Sequence, residues 1–204
     1  MIVPHTRGVT TSPYRVIAFS GSLRHGSTNT GLLQLAQRIA PPELQIELID
    51  WVDQLPWMNP DLEAAPPEIV QRWWQALREA DALLVGMPEY NFGPTALAKN
   101  ALDWATRPSD DRAIKDTAVA FVGAGGRSGA ARAQEHLHVV LGFLGAIVVV
   151  EPLVQLALVR EKFDAEGHTD DPEIVDAVAA KLAAVVEALQ RRDDTDDTTD
   201  DTTD

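Results

Sequence analysis

The 204 residues carry 31 acidic against 17 basic side chains, a formal net charge of -14, with 45% hydrophobic residues and no cysteine. Such a length suits one α/β domain with a proper core, while the missing cysteine excludes disulfides, thiolate metal sites and dithiol redox chemistry. No basic stripe is present to displace counterions from a phosphate backbone, which excludes nucleic acid as a partner.

Residues 1–13 read as a loose leader. Met1 to Arg15 lacks the charged-then-apolar order of a signal peptide, and the longest apolar stretch, Val139 to Val150, is too short to span a bilayer. The expectation is a cytoplasmic chain without membrane insertion. Five short aliphatic runs follow: Arg15 to Phe19, Gln45 to Ile49, Ala82 to Gly86, Thr117 to Val122 and Ala146 to Val150. Helical patterns follow them at Asn29 to Ile39, Pro67 to Ala80, Thr95 to Ala105, Ser128 to Leu144 and Pro172 to Gln190. Strands and helices in alternation predict a parallel sheet covered on both faces. Its order is either Rossmann-like or the flavodoxin-like 2-1-3-4-5, with ligand beyond the carboxyl ends of the strands. Residues 14–192 form that domain. The last twelve residues, "DDTDDTTDDTTD", contain nothing to bury and read as a disordered acidic tail.

Three loops leave the strands where a ligand belongs. The first, "SGSLRHGSTNT", matches the phosphate pattern G-x-x-x-x-G-K-[S/T] except that Ser27 replaces the lysine. Gly21 and Gly26 allow tight turns, Ser20, Ser22, Ser27, Thr28 and Thr30 offer hydroxyls, Arg24 adds a charge, and the following helix start presents amides to an anion. A single phosphate monoester suits this loop better than a triphosphate. The dinucleotide pattern G-x-G-x-x-G fails at Leu23, although Asp50 stands where its acidic residue belongs.

The second loop is "MPEYNFGP", stiffened by Pro88 and Pro94, with Gly93 free to take unusual dihedrals. Tyr90 and Phe92 supply flat apolar surface beside the amide of Asn91, which suits a planar heteroaromatic ring; packing of both rings on the core, with Glu89 in solvent, is the alternative. The third loop, "GAGGRSG", lets amides at Gly123, Gly125 and Gly126 approach a ligand, beside Arg127. His136 and His138, two apart on a helix, face different ways and make no metal site. No G-x-S-x-G elbow supports a hydrolase. Trp73 and Trp74 are adjacent on an amphipathic helix, so only one is expected to face the core squarely. Trp51 and Trp57 lie in a loop that can fold over the pocket rim or a neighbouring subunit.

In order and spacing, "GSLRHGSTN", "PEYN" and "KNALDWATRP" resemble the NADPH-dependent FMN reductase family of flavodoxin-like quinone, azo-compound and metal-oxyanion reductases. The likeness continues through "GAARAQEHLHVVLGFLGA" and covers Tyr14 to Gln190. It implies a flavodoxin-like five-stranded parallel sheet of order 2-1-3-4-5 with helices on both faces. Ser20, Ser22, Arg24, Ser27, Thr28, Asn29 and Thr30 would surround the FMN phosphate. Pro88, Glu89, Tyr90, Asn91 and Phe92 would border the isoalloxazine ring, and Gly123, Gly125 and Gly126 its other edge. It also implies NADPH, or NADH, as co-substrate and a homodimer or homotetramer, with Trp104 in the interface or the core. The expected activity is hydride transfer from the nicotinamide to bound FMN and then electron delivery to quinones or similar small acceptors. No catalytic side chain and no metal are expected, since the flavin carries the chemistry. The alternative is a non-enzymatic electron carrier or flavin-binding regulatory module, whose acidic surface would dock a basic partner.

Overall fold

A computed structural model describes residues 12–200, with side chains as far as Thr195. The sheet is built from β1 (Tyr14–Ser20), β2 (Leu44–Leu48), β3 (Ala82–Gly86), β4 (Ala118–Gly125) and β5 (Ile147–Ala157). All neighbouring pairs are parallel and the order is 2-1-3-4-5, the flavodoxin-like arrangement. Five long helices connect and cover it: α1 (Thr28–Arg38), α2 (Glu68–Glu79), α3 (Ala96–Ala105), α4 (Ala131–Phe143) and α5 (Pro172–Asp200).

Alternation along β1 divides the core. Ile17 and Phe19 point to a layer with α2, α3 and α4, and Val16 and Ala18 to a layer with α1 and α5. Because both faces are covered, β3 reads "ALLVG" without a polar position, and every one of its residues is buried.

Two expectations need correction. Trp73 and Trp74 are both buried, since α2 is wedged between the sheet and α3. Trp73 meets Phe19 and Trp51 edge-on, while the indole N–H of Trp74 donates to the carbonyl of Trp104 at 2.7 Å. Two directions 100° apart therefore both point inward. Trp104 itself is fully buried and donates to Pro56, which makes it a core residue.

β5 does not end at Val150. Its register with β4 jumps from Ala120↔Val149 to Val122↔Val154, so residues 150–153 bulge out around Pro152, which has no N–H for the ladder, and the strand then resumes to Ala157. Lys181 of α5, only 1% exposed, donates to the carbonyls of Val149 and Val150 at the start of the bulge.

α5 continues past Gln190 to Asp200. The Tyr14 hydroxyl donates to Asp193 at 2.8 Å, and Arg192 lies between Asp193 and Asp81 at 3.0 and 3.2 Å. That anchor fixes the turn after Gln190, and an existing helix extends without a new nucleus. Burial and then Asp193 push the Tyr14 phenol up to about 12. Residues 201–204 and 1–11, the latter most of the expected leader, lie outside the described residues.

Candidate functional site

The three loops leave the carboxyl ends of β1, β3 and β4, three adjacent strands, and hydrogen bonds lock them together in pairs. The first and second loops are joined by Thr95, whose hydroxyl donates to the Gly21 carbonyl at 2.8 Å. A side-chain amide joins the first and third: Asn29 donates to the Ala124 carbonyl and accepts from the Ala124 amide, both at 2.9 Å. Glu89 closes the triangle, accepting from the Ser128 hydroxyl at 2.8 Å and the Arg132 amide at 2.9 Å.

Each loop runs into a helix, and the three helix starts differ in who satisfies them. α3 is capped by Thr95, which accepts from the Ala98 amide. α4 begins at a left-handed Ala130 with no side-chain cap of its own; Glu89 fills that role from 43 and 44 residues away, binding the amides of Arg132 and Ala133. Burial alone would raise the Glu89 carboxyl, but the Ser128 hydroxyl, the two amides and the Arg132 guanidinium outweigh it, and its pKa lies below the ordinary 4.5. α1 stands apart. Its N-cap Ser27 makes no side-chain capping bond, and no acid lies in its first turn.

Around that open helix start the loop braces itself. The Ser20 hydroxyl accepts from Thr30 at 2.9 Å and from the Ser22 amide, and the Ser22 hydroxyl accepts from the Arg24 amide. The hydroxyls of Ser27 and Thr28 take no partner among the described residues. Arg24 is exposed, with one contact to the His25 carbonyl. An uncapped N-terminus, two unclaimed hydroxyls and an exposed guanidinium form a donor set for an anion.

In the second loop residues 89–90 and 93–94 form a two-residue antiparallel ladder, with Asn91 and Phe92 at the tip. Those two residues, at φ 51° and 67°, take the left-handed conformation; Gly93 does not. The expectation placed the unusual dihedrals one residue late. Tyr90 and Phe92 are 55% and 73% exposed, so neither packs on the core, and the Arg132 guanidinium lies 4.7 Å from the Phe92 ring. Glu89, for its part, is not in solvent: its side chain is 8% exposed.

The third-loop glycines serve different ends. Gly123 and Gly125 belong to β4, paired with Gln155 and Ala157. A Cβ on Gly123 would stand 2.6 Å from the Gln134 amide and 2.9 Å from the Met87 carbonyl, so it is small for packing. Gly126 faces open space, and Arg127 beside it is exposed and unpaired among the described residues.

A cleft of about 400 Å³ runs from Ser20, Ser22 and Thr30 past Leu97 to Asp50 and Asp53, on the β2 side of the first loop. The larger groove, about 570 Å³, lies at the opposite end of the sheet between β5 and α5 and gathers none of the three loops. Among the described residues no group of three or more His, Asp or Glu can hold a metal, and no helix is long and apolar enough to cross a membrane. Sequence reading missed Thr95 and Arg132. Threonine before an apolar helical run is a capping signal that could have found the first; nothing local marks the second.

Comparison with known proteins agrees with this geometry. The family model described as NADPH-dependent FMN reductase matches residues 14–161. The NAD(P)H-dependent FMN reductase of Pseudomonas aeruginosa is 38% identical over 172 residues, which cover 84% of this chain and 92% of that protein. The NADPH:quinone oxidoreductase of Arabidopsis thaliana is 40% identical over 183 residues, 86% and 90% of the two chains. Among solved structures, the flavoenzyme NAD(P)H:(acceptor) oxidoreductase FerB from Paracoccus denitrificans superposes with a TM-score of 0.77 at 31% identity, covering 88% and 98%. Three interlocked loops over a 2-1-3-4-5 sheet, with this similarity along most of the chain, place the protein in the NADPH-dependent FMN reductase family, as an FMN-dependent oxidoreductase rather than a bare electron carrier.

Proposed function

We propose that the FMN phosphate sits on the N-terminus of α1 and the isoalloxazine ring lies against the second and third loops, with a small quinone as final electron acceptor. One observation carries the placement: α1 alone, of the three helices starting at the site, has a first turn that no side chain satisfies. The donors suit a monophosphate. The amides of the first turn, the hydroxyls of Ser27 and Thr28, and Arg24 would hold it, while the Ser20, Ser22 and Thr30 hydroxyls keep the loop in shape.

Asn29 acts through its backbone; its side chain is spent on Ala124. Pro88, Tyr90, Asn91 and Phe92 offer the ring an edge and flat surface, with Gly125 and Gly126 on its other side, and Gly123 supports them from within the sheet. Glu89 is tied to the start of α4 and acts as a brace rather than a proton carrier. Bound FMN supplies two-electron acceptance from NAD(P)H and donation to the acceptor. The protein supports this by orienting the ring.

The exposed aromatic tip suits contact with a second copy of the chain, giving a homodimer or homotetramer in the cytoplasm. The test is purification followed by titration with FMN and then NADPH or NADH plus a small quinone. Yellow protein whose colour bleaches with the nicotinamide and returns with quinone is expected; a colourless protein that binds no added FMN overturns the reading.

A further inference from the structure

The segment between β5 and α5 was unremarkable in sequence, yet it presses against the first loop at three glycines. A Cβ on Gly31, in the first turn of α1, would stand 1.6 Å from the Gly167 carbonyl oxygen; one on Gly26 would stand 2.2 Å from the Ala165 carbonyl oxygen. In the other direction, a Cβ on Gly167 would stand 2.8 Å from the Ser27 carbonyl oxygen and 3.1 Å from the Gly26 carbonyl carbon. Real side chains do not reach such distances, so the two backbones touch because glycine stands at all three positions. Gly26 and Gly167 also carry positive φ, 59° and 92°.

The pressing segment is itself rigid. Asp164 and His168 close a small ring: the Asp164 amide donates to the His168 carbonyl at 2.9 Å, and the His168 amide donates to the Asp164 carboxylate at 2.7 Å. Phe163 roots one end in the core at 6% exposure, and the Thr169 hydroxyl donates to the Lys162 carbonyl. Arg38, in the last turn of α1, donates to the Thr169 carbonyl and to Asp170. The segment therefore grips α1 at both ends, and at the near end it holds the Gly26–Ser27 peptide, from which the Ser27 hydroxyl and the first-turn amides project. Since Ser27 makes no capping bond of its own, this outside contact sets where those donors point.

We propose that residues 163–169 are a positioning element for the FMN phosphate: the Gly31–Gly167 contact aims the anion-binding donors of α1, so recognition of the phosphate, and not of the ring, depends on it. This rests on the placement of the phosphate at α1. It predicts a selective defect. A methyl group at Gly31 forces the segment away and lets the 26–27 peptide turn, although alanine is itself the better helix former. FMN affinity falls, while riboflavin, which shares the ring and lacks the phosphate, binds as before.

The experiment titrates the full-length protein, stripped of flavin, with FMN and with riboflavin by quenching of flavin fluorescence. Wild type is expected to prefer FMN by about 100-fold, as loss of charge-assisted hydrogen bonds implies. Gly31→Ala is expected to narrow that preference about tenfold or more, entirely through FMN. Inserting one glycine after Gly167 in the Gly31→Ala background relieves the overlap and restores part of the preference. If Gly31→Ala does not fold, the same insertion in the wild-type chain, which loosens the contact without a clash, also narrows it. Equal loss of both ligands, or an unchanged ratio in a folded variant, overturns the proposal while leaving the phosphate at α1. A wild-type chain with no preference for FMN removes the phosphate placement and this proposal with it.

Discussion

Asn29 and Ala124, 95 positions apart, hydrogen-bond each other twice through one side chain, each bond 2.9 Å long and buried. The pair fastens the start of α1 to the end of β4, so the first and third loops keep a fixed separation. Asn29→Ala leaves a buried amide and a buried carbonyl without partners. A loss of about 2–3 kcal/mol follows, seen as a melting temperature lower by roughly 5–10 °C for a domain of this size. Asn29→Asp keeps the acceptor but turns a buried carboxylate oxygen toward the Ala124 carbonyl, so at pH 7 its loss in thermal denaturation should be at least that of alanine.

Ser27 is the sharpest test of the phosphate. On the proposed placement a carboxylate there would meet the phosphate, and like charges repel. Ser27→Asp is expected to purify without flavin and to need at least about 100-fold more FMN for half-saturation, equivalent to about 3 kcal/mol. Ser27→Lys restores the letter of the triphosphate pattern, yet equilibrium dialysis with ATP should detect no binding. FMN retained at wild-type affinity in Ser27→Asp would remove the phosphate from α1.

Glu89 predicts a stability that depends on acid. Its folded pKa lies below its ordinary value of 4.5, so its contribution is complete above that value and disappears as pH falls through the lower, folded one. Glu89→Gln keeps the shape and loses the charge. The variant should be less stable at pH 7 by about 1–2 kcal/mol, and urea denaturation curves should approach wild type as pH falls below the ordinary 4.5 and through the lower, folded value.

Lys181 works in the opposite range. Burial pushes its ammonium down to about 8 from the ordinary 10.5, with Glu151 opposing. Between those values the unfolded chain holds a proton that the folded one has released, so wild type gains stability with rising pH. Against Lys181→Met, wild type should improve by up to about 3 kcal/mol from pH 8 to 10.5, measured by denaturant unfolding at each pH.

The sheet, its order and the three loops were legible because each depends on neighbours in sequence: aliphatic runs bounded by glycine, serine and proline declare strand ends. The first loop's donor set was legible because its members are nearly consecutive. What was hidden depends on partners far along the chain. Glu89 reads as a solvated acid until the start of α4 is placed beside it, and Gly31 reads as a weak point in a helix until Gly167 touches it. Phe92 defies local preference in adopting a left-handed backbone, a cost that the hairpin and Arg132 offset. The second half of β5 was lost because Pro152 looks like a stop, when the strand only steps around it.

The Tyr14 hydroxyl reaches Asp193 across 179 positions, which brings the two ends of the domain together at the amino edge of the sheet, opposite the loops. The fold is in this sense nearly a closed ring. A short Gly/Ser linker joining the two ends, with the chain reopened in the exposed stretch at residues 64–65, would leave the strand order and every loop-to-loop bond in place. Fused domains would likewise emerge on the side away from the three loops.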